Sequence, residues 1–327
     1  MRRAAVAAAV LVASVALAAC GSSKSSSSSS TAATSSTTTS APSGNTIQSN
    51  PANASKTVTI GSKNFTEEFI LGQIYAQALK AAGYKVKTQL NLGSEQIALR
   101  ALESGQVDAY PEYTGTALTS FFGKKATDVP HDEQAAYQEA KAGFAKKNLV
   151  ALAPTPFTDS NGVGMLKTKA QSLGITKISD LKAHESQLTL YGTPECRQRP
   201  DCLLGLEQVY GLKFKKFVPV DPSLRHKVLD SGQADVSIVF TTDGQISQGK
   251  ELLLQDDKKM FPPYNVTLVF RKSVLDKLGP DATNTIAKVQ QALTTPAMQE
   301  LNSRVDIDKK TPATVAHQYL TESGYLK

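Results

Sequence analysis

The chain has 327 residues, a formal net charge of +7, three cysteines and no tryptophan. Its 36 Lys and Arg residues are dispersed, without a basic stripe or interleaved aromatic residues, which argues against nucleic-acid binding. Residues 1–55 have the composition of a targeting segment and a linker. About 270 residues remain, enough for two lobes of ordinary size.

The first 20 residues have the pattern of a secretory signal. Two arginines follow Met1, an apolar run covers 4–19, and small residues precede Cys20. The run is shorter than the ~20 residues of a comfortable membrane span, although an uncleaved N-terminal helix is the alternative. We predict a signal peptide over 1–19. The segment 20–55 is predicted to be a flexible linker, because it is too poor in large apolar residues to fold.

Alternating elements follow the linker. A strand is predicted over 56–60, and Thr66 is a good N-cap for a helix that ends near Ala82. A strand over 84–90, a helix over 94–104 and a strand from Val107 complete a βαβαβ order, which indicates a parallel sheet covered by helices. Between the first strand and helix, backbone N–H groups and Lys63 could meet an anion; the alternative is an ordinary solvated lysine.

A short pattern occurs twice. In both copies Ser-Gly-Gln-x-Asp follows a helical run and precedes an apolar strand, from Glu103 and from Asp230. Nine residues after the Ser, the copies carry Tyr113 and Phe240. Because ligands of open α/β sheets bind beyond the carboxyl ends of strands, these two aromatics are predicted to face each other across a cleft.

Two proline-containing extended segments, near 149–156 and 261–264, suit crossings between lobes. We therefore predict an α/β protein in which 56–154 and 262–327 form the first lobe and 155–261 form the second. The tail from Ser273 is predicted to be helical, with a helix at 281–293, and to pack on the first lobe.

Cys196 and Cys202 are close in sequence. On the oxidising side of a membrane such a pair favours a local disulfide. A zinc or redox pair is the alternative, but no second pair of ligands accompanies it, so we expect no metal. Motifs of hydrolases, metalloproteases and nucleotide-binding loops are absent from the sequence, and we expect neither catalysis nor a cofactor.

Several segments carry a resemblance to a known family. They include Gly61-Ser-Lys-Asn-Phe-Thr-Glu67, Asp108-Ala-Tyr-Pro-Glu-Tyr-Thr-Gly-Thr116, Pro194-Glu-Cys-Arg-Gln-Arg-Pro200 and Pro262-Pro-Tyr264. Together these segments resemble the substrate-binding proteins of osmoprotectant ABC importers, which bind glycine betaine, carnitine or choline. The resemblance extends from residue 56 to the C-terminus. It implies a two-lobed periplasmic-binding-protein fold of type II, an ABC permease as partner, and a monomer.

The resemblance also implies an aromatic box around a quaternary ammonium. Tyr113 and Tyr264 match box tyrosines, and Phe240 falls where the family usually has another. The groups expected to hold a ligand carboxylate are Lys63, Thr116 and Arg199, and Glu195 matches a further site position.

Two further features bear on the ligand and the location. Asn161 stands where a fourth box tyrosine is common, so the ligand could be glycine betaine, carnitine, choline or a larger betaine such as ergothioneine. Leu17-Ala-Ala-Cys20 resembles the lipobox of bacterial lipoproteins, which implies a lipid anchor at Cys20 and an extracytoplasmic location. A secreted enzyme of the same fold and a sensor lipoprotein without transport are the rival functions.

Overall fold

The computed structural model of this protein describes residues 44 to 327. The predicted signal peptide, Cys20 and most of the predicted linker lie outside the described residues. Within residues 44 to 327, no helix is both long enough and apolar enough to cross a membrane.

The first sheet has the strand order β2-β1-β3-β10-β4, in which β10 (Val266–Arg271) comes from the C-terminal part of the chain. Its N-terminal part has the predicted βαβαβ order, and β1 pairs in parallel with both β2 and β3. The elements are β1 (Thr57–Gly61), α1 (Thr66–Ala81), β2 (Lys85–Gln89), α2 (Glu95–Ser104), β3 (Ala109–Tyr113), α3 (Thr114–Thr116), α4 (Glu133–Ala145) and β4 (Leu149–Ala151).

The second sheet has the strand order β7-β6-β8-β5-β9. Its central strand β8 is parallel to β6 and antiparallel to β5. The elements are β5 (Asn161–Leu166), α5 (Lys167–Leu173), β6 (Thr189–Gly192), α6 (Leu203–Val209), β7 (Lys216–Pro219), α7 (Arg225–Asp230), β8 (Val236–Phe240), α8 (Gly244–Ser247) and β9 (Glu251–Leu253).

The chain passes between the sheets twice, once from β4 to β5 and once from β9 back to the first sheet. Thr158 and Asn265 pair as a β-bridge where the two crossings run side by side. The predicted α/β architecture with two lobes and two crossings is confirmed. The lobe boundaries at 154/155 and 261/262 stay a prediction.

The C-terminal elements return to the first lobe. They are β10 (Val266–Arg271), α9 (Lys272–Leu278), α10 (Pro280–Gln290), α11 (Thr295–Asp306) and α12 (Pro312–Glu322). Val315 and Leu320 of α12 share one buried core with Ile70 of α1, as predicted for the tail. The tail also reaches the second lobe, because the side chains of Gln299 and Asn302 donate hydrogen bonds to the carbonyls of residues 241 and 242.

The repeated pattern has the same structural role in both lobes. Gly105 and Gly232 have φ angles of 81° and 70°, the left-handed conformation that ends a helix. The carboxylate of Asp108 accepts a hydrogen bond of 2.8 Å from the backbone N–H of Thr59, in the middle of β1. Asp235 does the same for Thr189, at the start of β6, at 2.7 Å. The pattern therefore fixes each central strand to its parallel neighbour.

Two local predictions differ from the structure. Thr66 was expected to cap α1, but it is the first residue of the helix, and Phe65 occupies the N-cap position without a side-chain cap. Thr66 instead donates a hydrogen bond of 2.6 Å to Asp306. The end of the predicted linker also differs: the N–H of Ile47 bonds to the carbonyl of Tyr325, and Asn53 is buried. The folded part therefore begins before residue 56, because Ile47 packs against the core of the first lobe.

Candidate ligand-binding site

A cavity of about 340 Å³ lies between the two sheets, at the ends of β3 and β8. This volume is within the usual range for small-molecule sites. All eight residues that were predicted to bind a ligand line this cavity, namely Lys63, Tyr113, Thr116, Asn161, Glu195, Arg199, Phe240 and Tyr264. The cavity therefore brings together side chains from both lobes and from a crossing.

The aromatic side chains form a connected group on one side of the cavity. Tyr113 is the last residue of β3 and Phe240 is the last residue of β8. The ring of Phe65 lies between them, 6.0 Å from Tyr113 and 5.2 Å from Phe240, measured between ring centroids. Phe65 was not predicted, although its place directly before α1, in the segment that carries the resemblance, was a usable signal.

Tyr264 enters the cavity from the second crossing. Its ring packs against Gly115, where a methyl group would lie only 2.8 Å from Cε1 of the tyrosine. A side chain at position 115 would therefore displace the ring from the cavity wall. This contact explains why glycine suits the Tyr-Thr-Gly-Thr segment.

A buried carboxylate, Glu67, connects the two lobes behind the aromatic group. The hydroxyl of Tyr113 donates a hydrogen bond of 2.8 Å to Glu67, and the hydroxyl of Thr242 in the second lobe donates one of 2.5 Å. The amide of Asn302 donates a third at 3.1 Å. Burial raises the pKa of Glu67 more than these hydrogen bonds lower it.

The ammonium group of Lys63 already has carboxylate partners. Its Nζ lies 2.6 Å from Oε1 of Glu112 and 3.8 Å from Oε1 of Glu68. The same nitrogen is 4.4 Å from the centroid of the Tyr113 ring. Lys63 was predicted to hold a ligand carboxylate, but in this structure its ammonium group forms an ion pair with Glu112.

The guanidinium of Arg199 is paired in a similar way. Its Nε and Nη2 donate hydrogen bonds of 2.9 and 2.6 Å to the two oxygens of Asp201. Asp201 also accepts a hydrogen bond from the hydroxyl of Tyr264 at 2.5 Å and one from the amide of Asn161 at 3.3 Å. Burial alone would raise the pKa of Asp201, but the charge and hydrogen bonds of Arg199 hold it below the usual value.

Asp159 is a further carboxylate of the cavity, and it was not predicted. Its residue is only 5% exposed and lines the cavity. Its Oδ1 accepts a hydrogen bond of 3.3 Å from the backbone N–H of Thr242. None of the ion pairs among residues 44 to 327 includes Asp159. Burial, and then the charges of Glu67 and Asp243, raise its pKa well above the usual value.

The family of this protein follows from its similarity to known proteins. Residues 56–322 match the model of the OpuAC family, the substrate-binding domain of ABC-type glycine betaine transport systems. The chain belongs to this family. Its members are substrate-binding proteins rather than enzymes, and the predicted resemblance to osmoprotectant importers is confirmed.

Individual relatives agree with the family assignment. A glycine-betaine-binding protein from Pseudomonas aeruginosa is 36% identical over 283 residues, which cover 83% of this chain and 89% of the relative. An ergothioneine transport permease/ergothioneine binding protein from Helicobacter pylori is 30% identical over 278 residues, 84% of this chain but 49% of the relative. The crystal structure of a glycine betaine/carnitine/choline ABC transporter protein superposes with a TM-score of 0.66 at 27% identity, covering 83% of this chain and all of the other.

In this OpuAC-family protein a disulfide bond closes the loop that carries the paired arginine. Cys196 and Cys202 are joined, with their Cα atoms 5.1 Å apart. Glu195 lies on a short 3-10 helix, Pro194–Arg197, at the start of this loop. Among the described residues no cluster of three His, Cys, Asp or Glu side chains has an arrangement that could hold a metal ion. The residues that line the cavity give it an aromatic side and an ionic side.

Proposed function

We propose that this protein captures a quaternary ammonium compound in the cavity between its lobes and delivers it to an ABC permease. The observation that carries the proposal is the group of aromatic rings around one cavity. A trimethylammonium group has no hydrogen-bond donor, so ordinary polar contacts cannot hold it. Ring faces can hold it, each contributing ~0.5–2 kcal/mol through cation–π attraction.

The proposed cage consists of Tyr113, Phe65, Phe240 and Tyr264. Tyr113 and Phe240 come from different lobes, so a ligand between them favours the closed arrangement over the open one. Two of these rings also have an internal cation nearby: Lys63 by Tyr113 at 4.4 Å, and Arg225 by Phe240 at 4.5 Å. Both cations are paired with carboxylates, Glu112 and Asp243, which keeps the local charge balanced.

Thr116 and Glu195 are proposed as polar contacts to the remainder of the ligand. Both line the cavity, and Thr116 is 5% exposed. The amide of Asn161 is hydrogen-bonded to Asp201, so Asn161 acts on the ligand through that carboxylate rather than as a replacement wall.

A larger betaine such as ergothioneine is the second candidate ligand. A small extension of about 40 Å³ adjoins the cavity, with Thr193, Arg225, Ile238 and Phe240 in its lining. Such a space would accept a group larger than the methylene and carboxylate of glycine betaine. The name of the Helicobacter pylori relative also supports this candidate.

The decisive experiment is calorimetric titration of the purified protein with glycine betaine, carnitine, choline and ergothioneine. Saturable binding of one ligand, lost in Tyr113→Ala, supports the cage and identifies the substrate. Binding that survives the substitution unchanged contradicts it. Recovery of chemically intact ligand after long incubation distinguishes a binding protein from an enzyme. Loss of ligand uptake in cells that lack the permease supports transport, whereas unchanged uptake favours a sensor.

We further propose an extracytoplasmic monomer anchored by lipid at Cys20, with a flexible linker between the anchor and the folded part. The proposal rests on the signal pattern and on Leu17-Ala-Ala-Cys20. Intact-mass measurement of the protein extracted from membranes should reveal an acylated Cys20 as N-terminus. Cys20→Ser should release the protein into the medium, and an unmodified protein that keeps residues 1–19 would contradict the anchor.

A further inference from the structure

We propose that the contact between α11 and the turn after β8 is a latch that holds the two lobes closed without a ligand. The turn comprises residues 241–244 and leads from the second sheet into α8. Helix α11 belongs to the first lobe, because Met298 and Leu301 are buried in its core. The residues of the contact are not part of the cavity lining. The latch therefore acts on closure independently of ligand recognition.

One face of α11 makes the contact. Gln299, Asn302 and Ser303 are three and four residues apart, so they lie on the same face of the helix. Nε2 of Gln299 donates a hydrogen bond of 2.9 Å to the carbonyl of Thr241. Nδ2 of Asn302 donates another of 2.9 Å to the carbonyl of Thr242. A helix fixed in one lobe is thus hydrogen-bonded to the backbone of the other.

Gly244 allows the backbones of the two lobes to meet. A methyl group at position 244 would lie 2.7 Å from Cα and 2.8 Å from the backbone nitrogen of Ser303. These atoms belong to the backbone of α11, so they cannot turn away as the end of a flexible side chain could. Gly244 is the first residue of the helix α8. The close approach, and not an unusual φ angle, therefore requires glycine here.

A buried carboxylate of the first lobe completes the latch. Oε2 of Glu67 accepts hydrogen bonds from the hydroxyl of Thr242 at 2.5 Å and from Nδ2 of Asn302 at 3.1 Å. Thr242 is 1% exposed, and Glu67 and Asn302 are each 2% exposed. While the lobes meet, these groups are therefore satisfied by one another. Separation of the lobes would replace these hydrogen bonds with hydrogen bonds to water.

The position of the turn beside the crossings explains why the latch responds to closure. The N–H of Thr241 donates a hydrogen bond of 2.9 Å to the carbonyl of Ser160, which lies two residues after the β-bridge between Thr158 and Asn265. The turn therefore moves with the second sheet when the lobes rotate about the crossings, whereas α11 stays with the first lobe. A displacement of about 1 Å would already lengthen the hydrogen bonds beyond their usual range.

The test measures the distance between the lobes without ligand, by double electron–electron resonance. Nitroxide labels are placed at Arg100→Cys in α2 and Lys227→Cys in α7, which are exposed positions, in the full chain with Cys20→Ser. This protein should show a population with a short distance, which is the closed form. Gly244→Ala should abolish that population. Gln299→Ala removes one hydrogen bond and should lower the ratio of closed to open form about fivefold.

The matched control is Gln248→Ala, at an exposed position directly after α8, which should leave the distance distribution unchanged. An unchanged distribution in Gly244→Ala would overturn the latch, as would the lack of a short-distance population before either substitution. If Gly244→Ala failed to fold, judged by circular dichroism, an unchanged ratio in Gln299→Ala would overturn it equally. Because no ligand is added, failure of the latch leaves the proposed function and its Tyr113→Ala test unaffected.

Discussion

The hydroxyl of Tyr264 donates a hydrogen bond of 2.5 Å to Oδ2 of Asp201, which joins the second crossing to the loop closed by the disulfide. One side chain therefore provides a ring to the cavity and a donor to a buried carboxylate. These two roles can be separated by substitution.

Tyr264→Phe should lower the free energy of unfolding by about 1–3 kcal/mol, because Asp201 is buried and loses a donor. Ligand binding should change little, since the ring remains. Urea unfolding and calorimetric titration measure the two effects. The matched control is Tyr137→Phe, whose hydroxyl bond to the carbonyl of Ala151 is longer, at 3.3 Å. An equal loss of unfolding free energy in both variants would contradict a larger contribution from the bond with Asp201.

Tyr113→Ala should reduce ligand affinity by at least the ~0.5–2 kcal/mol of one cation–π contact. Tyr113→Phe keeps the ring and removes only the hydroxyl bond to Glu67. Its affinity should therefore stay close to that of the wild type, while its stability falls because buried Glu67 loses a donor. If the phenylalanine variant lost as much affinity as the alanine variant, the ring would not be the binding element.

Removal of the disulfide in a Cys196→Ala/Cys202→Ala variant should destabilise the protein by about 2 kcal/mol, because the bond closes a short loop in the unfolded chain. Ligand affinity should also fall, since Arg199 and Asp201 lie inside that loop. Thermal unfolding with and without reductant checks the first effect. Reductant should lower the melting temperature of the wild type and leave that of the variant unchanged. If reductant lowered neither melting temperature, the disulfide would add no stability.

The ion cluster around His226 predicts a loss of stability at alkaline pH. Nδ1 of His226 lies 2.9 Å from Glu251 and Nε2 lies 2.9 Å from Asp243. Burial alone lowers the pKa of His226, but the hydrogen bonds to Asp243 and Glu251 outweigh it and raise the pKa from 6.5 to about 9. Because the folded value is the higher one, the stabilisation is complete below about pH 6.5 and is lost as pH rises to about 9.

The loss should amount to at most about 3 kcal/mol, measured by urea unfolding across this pH range. His226→Gln is the comparison, since it lacks the titrating group. Burial also raises the pKa of Glu68 to about 8, so Glu68 ionises in the same range in both proteins. The difference between the two stability curves isolates His226, and parallel curves would refute the assignment.

Much of the fold follows from local sequence patterns. The Ser-Gly-Gln-x-Asp copies end their helices at glycines with positive φ and start the central strands of both sheets, as predicted. Since each strand's end is fixed by its own pattern, the positions of Tyr113 and Phe240 at the strand ends were also predictable. The N-cap at Thr66 was wrong because its hydroxyl found a partner in Asp306, far away in the chain.

The electrostatic balance of the cavity was not predictable from the same patterns. Glu67 meets Thr242 across a sequence separation of 175 residues, and Tyr264 meets Asp201 across 63. Asp201 was overlooked because a single aspartate after a proline has no local signature. Asp159, a single aspartate after a threonine, has none either.

The sequence by itself determined the order of the elements, the two crossings and the aromatic residues that end the central strands. Hydrophobic periodicity and glycine conformation act over a few residues, so those features can be read along the chain. Only the tertiary structure decided that Lys63 and Arg199 are neutralised from within and that Asp159 is not. Which buried charges pair depends on distances of a few ångströms between segments that folding alone brings together.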